Sequence, residues 1–107
     1  MRFSKGDTSV ACKISFQLDE AIKNGTSFRL RTTRGFLPAP ITISSVICSA
    51  GKATLLYRSP WDSHSSFKEF GPGWEVHLGG TLSLPTVLFV ETEGLTEEIW
   101  ELVALGN

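Results

Sequence analysis

Few side chains in this 107-residue chain are suited to chemistry. Its two histidines are His64 and His77, and with Glu69 they supply the residue types of a two-histidine, one-carboxylate metal centre. The spacing lacks a His-x-His pair followed by a glutamate. The simpler reading places His64 in a polar loop and His77 on the solvent side of a strand beside Glu75. Asp62-Ser63-His64 holds the residue types of a hydrolytic triad, but triad members are assembled in space from separate elements. No G-x-S-x-G elbow is present. Neither Cys12 nor Cys48 has the neighbouring histidine or basic flank that makes a thiolate nucleophile, and two cysteines are too few for a structural zinc site. The expectation is a protein without enzymatic activity, metal or cofactor.

Binding chemistry is the next possibility. Arg29, Arg31 and Arg34 raise phosphate or nucleic-acid binding. A single-strand binder interleaves exposed aromatics with its basic residues, whereas Phe28 falls on the opposite strand parity to Arg29 and Arg31 and reads as core. A solvated face is expected, and nucleic acid is not. Gly79-Gly80 leads into a short strand and a proline, with no lysine and no helix, so it is not a phosphate loop. Tyr57, Trp61, Phe67, Phe70 and Trp74 bracket a loop rich in serine, glycine and proline. Exposed rings there would stack on sugars; packed inward, they would pin the loop to the core. Trp61, after Ser59-Pro60, is the ring most expected at the surface.

Charge is divided along the chain. Residues 1–58 hold nine lysines and arginines against three acids, and residues 59–107 hold Lys68 alone against eight acids, with an overall charge of −1. Cross-strand pairing within one fold is the first expectation. A molecule basic on one side and acidic on the other, able to dock on copies of itself or on a charged partner, is the second. The N-terminal residues lack the apolar core of a secretory signal, so cytosolic synthesis and reduced, buried thiols are expected. No apolar run approaches the roughly 20 residues of a spanning helix, and no membrane association is expected.

The elements that would position these residues read mostly as strands. Val10, Cys12, Ile14 and Phe16 alternate with Ala11, Lys13 and Ser15, which predicts a strand over 10–16. Leu18 and Ile22, followed by Asn24-Gly25, predict one or two helical turns over 18–24. Residues 26–34 alternate with Phe28 and Leu30 inward. The glycine and prolines of 35–40 interrupt regular structure. Residues 41–49 and 53–58 form strands across a tight turn at Ala50-Gly51-Lys52. Residues 59–73 are predicted as the longest non-regular stretch. Trp74, Val76 and Leu78 begin another strand, and Leu82 with Leu84 a short one after the glycine pair. Residues 87–92 and 100–105 complete the set across an acidic turn; the last segment fits helix or strand by spacing, and its short length favours strand. Seven or eight short antiparallel strands in one domain over 1–107 predict an all-β, jelly-roll-like β-sandwich.

Gly79-Gly80-Thr81, Leu88-Phe89-Val90 and Glu101-Leu102-Val103-Ala104-Leu105 carry a resemblance over the last 30 or so residues. They resemble the small virion-associated β-sandwich proteins of tailed phages. That resemblance implies a structural subunit that contacts copies of itself or a capsid or tail surface, located in the virion. Such a subunit would assemble by surface complementarity as a homo-oligomer. The candidate contact residues are Trp61, Phe67, Phe70, Phe36, Leu37, Leu88, Val90 and the acidic Glu91, Glu93, Glu97 and Glu98. The alternative is a carbohydrate-binding module that uses Trp61, Trp74 or Tyr57 against a glycan.

Overall fold

A computed structural model describes residues 8–106, with side chains from residue 13 onward. Its elements run α1 (Thr8–Lys23), β1 (Ser27–Thr32), β2 (Gly35–Phe36), β3 (Ile41–Ser49), β4 (Lys52–Arg58), β5 (Ser66–Phe70), β6 (Glu75–Gly80), β7 (Pro85–Glu93) and β8 (Thr96–Ala104). The strands form one antiparallel sheet in the order β5-β4-β3-β1-β8-β7-β6, with the short β2 paired to β1. β1 is the spine, flanked by the meanders β3-β4-β5 and β6-β7-β8. The two edge strands, β5 and β6, are consecutive in sequence and joined only by residues 71–74. So short a link between opposite edges obliges the sheet to curl until its halves face each other. The all-β, sandwich-like expectation holds on this architecture.

The helix is the main correction. Residues 10–16, expected as a strand, belong to α1, which continues without a break through the turns expected at 18–24. Ile14, Leu18 and Ala21 lie buried at helical spacing, while Phe16, which a strand would bury beside Ile14, is 74% exposed. Two periods coincide at positions 10–16; the continuation through Leu18 and Ala21, with no glycine or proline inside the segment, decides for the helix. Its expected stop is correct. The Gly25 amide donates to the Ile22 carbonyl at 3.1 Å and the Thr26 amide to that of Ala21 at 2.9 Å, closing the C-terminus with Gly25 at φ 66°.

Strand parity builds the core. Phe28 and Leu30 of β1, Val87 and Phe89 of β7 and Trp100 and Leu102 of β8 all point inward. In β3 the inward parity changes partway along. Ile43 faces Tyr57 but Ser45 faces Leu56, so Ser44 is an extra residue. This bulge lets Ile41 and Ile43, and then Val46 and Cys48, turn to the same interior. Cys48 is half-buried against the core; Cys12 lies on α1 rather than a strand, and its side chain is outside the described residues.

Two loop expectations also change. Residues 59–73 are not irregular throughout, because β5 lies within them and pairs with β4 from Ala53↔Phe70 to Tyr57↔Ser66. Strand geometry sends Phe67 and Phe70, three positions apart, to opposite faces. Leu82 and Leu84 form no strand; they sit 50% and 45% exposed in the 81–84 turn between β6 and β7. That turn is held by the Thr81 amide to the Leu84 carbonyl at 3.1 Å and the Leu84 amide to Thr81 Oγ1 at 3.0 Å. Gly80 has φ +72°, and a Cβ there would stand 2.3 Å from the Leu84 carbonyl oxygen. Gly80→Ala is therefore expected to lower stability by more than the roughly 1 kcal/mol of a left-handed backbone penalty alone. Gly94→Ala, at φ +61° with open space around it, supplies that backbone penalty as a control. Urea midpoints check this; equal losses at the two positions would contradict the close approach.

The halves of the sheet meet through aromatic rings. Phe70 of β5 stacks on Phe89 of β7 with centroids 3.6 Å apart and planes within 5°. Trp74 and Trp100 meet the same ring edge-on at 5.1 and 5.6 Å. Phe70→Ala should cost about 3–5 kcal/mol, while Phe67→Ala, on the outer face of the same strand, should change stability by less than about 0.5 kcal/mol. Denaturant unfolding of both variants separates the two faces.

Candidate functional site

The interior has two differently closed ends. At the end where β6 finishes and β7 begins, α1 packs across the strands, and Gln17 Nε2 donates to the Gly79 carbonyl at 3.0 Å. At the opposite end the inward rows of β7 and β8 change from apolar to acidic. Glu91 and Glu93 follow Phe89, and Glu98 precedes Trp100. They border an open groove of about 530 Å³ whose walls include Thr32, Arg34 and Trp100. Glu91 and Glu98 stand directly opposite each other across β7 and β8, a like-charge pair that opposes pairing. Lys68 of β5 relieves it. Its Nζ lies 3.8 Å from Glu98 Oε1 and 5.1 Å from the centre of the Trp74 ring. The stem of Lys68 thus runs along the aromatic cluster while its charge reaches the mouth.

The outer surface carries the remaining candidates. Trp61 is presented by two linked turns. The Asp62 amide donates to the Ser59 carbonyl at 3.2 Å, with Pro60 at the second turn position, and the His64 amide donates to Asp62 Oδ1 at 3.1 Å. The ring is 59% exposed on this built support. Phe67 is 69% exposed on β5, opposite Leu56 of β4, and Ile47 of β3 is exposed on the same outer face. Phe36 is exposed on β2 with the Arg29 guanidinium 5.2 Å from its ring centre. Leu88 and Val90 are half-buried on the outer face of β7, opposite His77 and Glu75 of β6. Glu93, Glu97 and Glu98 are exposed and Glu91 is half-buried.

Two expected contact residues move inward. Phe70 is 3% exposed at the centre of the aromatic stack. Leu37 packs on the core, and its amide donates to the Leu30 carbonyl at 3.0 Å. Tyr57 and Trp74 are likewise set edge-on against Trp100 and Phe70, which leaves Trp61 as the exposed ring of the three considered for a sugar. The residues considered for metal binding are not gathered into one site. His64 sits in the β4–β5 loop, and His77 pairs with Glu75 on β6, with Nε2 3.7 Å from Oε2. Among the described residues no three histidine, cysteine, aspartate or glutamate side chains form a metal-holding group. No helix among them is long and apolar enough to cross a membrane.

Charge pairing joins the two unlike parts of the chain. Arg31 Nε donates to Glu101 Oε1 at 2.9 Å from β1 to β8, and Lys52 Nζ approaches Glu69 Oε1 at 3.8 Å. The hydrogen bond from Arg31 holds the Glu101 carboxyl below its ordinary pKa; partial desolvation opposes this, and the charges of Arg31 and Arg29 add to it. A depressed folded-state value stabilises the fold above the ordinary carboxylate range, and this is lost as pH falls through the folded value. The urea midpoints of the parent and of Glu101→Gln should therefore differ near pH 7, and the gap should start to close as pH falls below the ordinary carboxylate range and vanish only below the depressed folded value. A constant gap across that range would show that the pair contributes nothing through ionisation.

Comparison of the chain with protein-family models, with curated proteins and with solved structures gives no match.

Proposed function

We propose that this chain is a non-enzymatic structural subunit that assembles by surface complementarity with copies of itself. In its most concrete form it is an accessory or decoration protein of a tailed-phage virion, seated on a capsid or tail surface. The observation that carries this reading is the placement of large apolar side chains on rigid outer surface. Phe67 lies on a hydrogen-bonded strand beside Leu56, with Ile47 on the same face, and Trp61 is fixed by two turns. Aromatic side chains carried on a hydrogen-bonded backbone have few torsions to fix when covered, which suits them as contact anchors. The acidic mouth and the basic groups Arg34 and Arg58 add charge that sets orientation more than strength.

A carbohydrate-binding reading keeps Trp61 as its platform, supported by the same exposure. The two readings separate on one pair of variants. Trp61→Ser with Phe67→Ser should weaken concentration-dependent self-association, or binding to purified capsids and tails, about tenfold, while leaving the unfolding midpoint within about 0.5 kcal/mol of the parent. A parent protein that stays monomeric at high concentration and binds neither capsid nor tail would overturn the subunit reading. A change in tryptophan fluorescence on adding polysaccharide, lost in Trp61→Ser, would favour the glycan instead.

A further inference from the structure

The sheet has two edges, and they are protected differently. An edge strand presents unpaired backbone donors and acceptors, which proteins shield with inward-pointing charges, prolines, bulges or a covering element. β5 has such a device: Lys68 shares the inward parity of the buried Phe70 and is tied to Glu98 at the mouth. β6 has no inward charge, proline or bulge from Glu75 to Leu78; its one charged acid, Glu75, lies on the outer face opposite Val90. Among the described residues it pairs with β7 alone, and α1 approaches it at its C-terminal end, where Gln17 Nε2 donates to the Gly79 carbonyl. Glu75, His77 and Leu78 are exposed and Val76 is half-buried.

The sequence of this edge is complementary to itself. A two-fold axis normal to the sheet preserves inner and outer faces, so facing residues must share parity. Of the registers this allows, centring on Val76 sets Glu75 opposite His77 of a second copy twice over. On the other face it sets Val76 opposite Val76 and Trp74 opposite Leu78. Centring on His77 or Glu75 instead sets imidazole against imidazole or carboxylate against carboxylate. Within one strand the Glu75 and His77 side chains already lie together, Oε2 to Nε2 at 3.7 Å, so the Val76-centred register builds a four-membered cluster of alternating acid and base. The facing groups nearest this cluster are Leu88 and Val90 of β7, with the Arg31–Glu101 pair one strand further in. None of these places a second uncompensated acid against it.

We propose that β6 is a self-association edge: two copies pair antiparallel through residues 74–78 about Val76, joining their sheets into one. This rests on the subunit reading above and adds to its Trp61 and Phe67 surface a second contact, made with another copy of the chain. Sedimentation equilibrium of four proteins tests it: the parent, Glu75→His, His77→Glu and the double variant Glu75→His with His77→Glu. Each single variant places like residues opposite each other twice; His77→Glu should weaken association about tenfold, with Glu75→His following the same direction. The double variant restores acid opposite imidazole and should return to within about threefold of the parent. A double variant no tighter than His77→Glu, or four proteins with one affinity, overturns the β6 contact. If the parent nevertheless associates and Trp61→Ser with Phe67→Ser weakens that association, the subunit reading survives the loss of this edge. Amide hydrogen exchange gives a second readout: residues 74–78 should gain protection as concentration rises, and protection gained on β5 alone would contradict the proposal.

Discussion

The contact on which the rest of this molecule depends is the stack of Phe70 on Phe89. The sheet's strand order places β5 and β6 at opposite edges, yet residues 71–74 alone connect them. Curling sets the two halves of the sheet face to face, and a ring contact between β5 and β7 at 3.6 Å fastens them. Trp74 and Trp100 meet the Phe70 ring edge-on, so strands from both meanders and the link itself converge on one side chain. Aromatic pairs add about 0.5–1.5 kcal/mol beyond the area they bury. The larger consequence is geometric. With the halves fastened here, one end of the interior is left for α1 to fill, and the other opens into an acid-lined mouth.

That division explains why polar groups sit where they do. At the α1 end, Ile14, Leu18 and Ala21 complete an apolar interior, and a single amide side chain, Gln17, holds the β6 terminus. At the mouth the same strands that supply Phe89 and Trp100 continue into glutamates, and the inward Lys68 carries the compensating charge along the tryptophan face. A lysine in that position both offsets the Glu91–Glu98 repulsion and makes β5 a poor edge for another strand. β6 lacks any equivalent. The asymmetry of the two edges follows from one inward charge, and it leaves the outer row of Phe67, Leu56 and Ile47 and the free side of β6 as two distinct surfaces.

Most strands were legible because one face of the sheet is buried and the other wet. Phe28 and Leu30 against Arg29 and Arg31 is a period of two sustained across the whole strand, while the pairing of Arg31 with Glu101 of β8 comes from the strand order. Residues 10–16 were misleading because apolar residues at alternate positions also satisfy part of a helical stripe; only Leu18 and Ala21, further along, distinguish the two. Phe67 and Phe70 looked equivalent while their segment was read as a loop. Once it is a strand, their odd separation divides them between surface and core. The Ser44 bulge had a sequence signature in Ile41-Thr42-Ile43-Ser44-Ser45-Val46, where two polar residues interrupt the alternation and the apolar parity changes after them. The groove and the unprotected edge were not legible, because each depends on which strands are neighbours, and strand order is a property of the folded sheet.

Both exposed surfaces are rigid only if the curled sheet is fastened as one body, and a double-mutant cycle across the stack tests that most directly. Phe70→Leu, Phe89→Leu and the double variant, compared by denaturant unfolding, should show a coupling of about 1 kcal/mol or more between the two rings. Losses that add to within about 0.3 kcal/mol would mean that β5 and β7 are stabilised independently, and that the halves of the sheet are not held together by this contact.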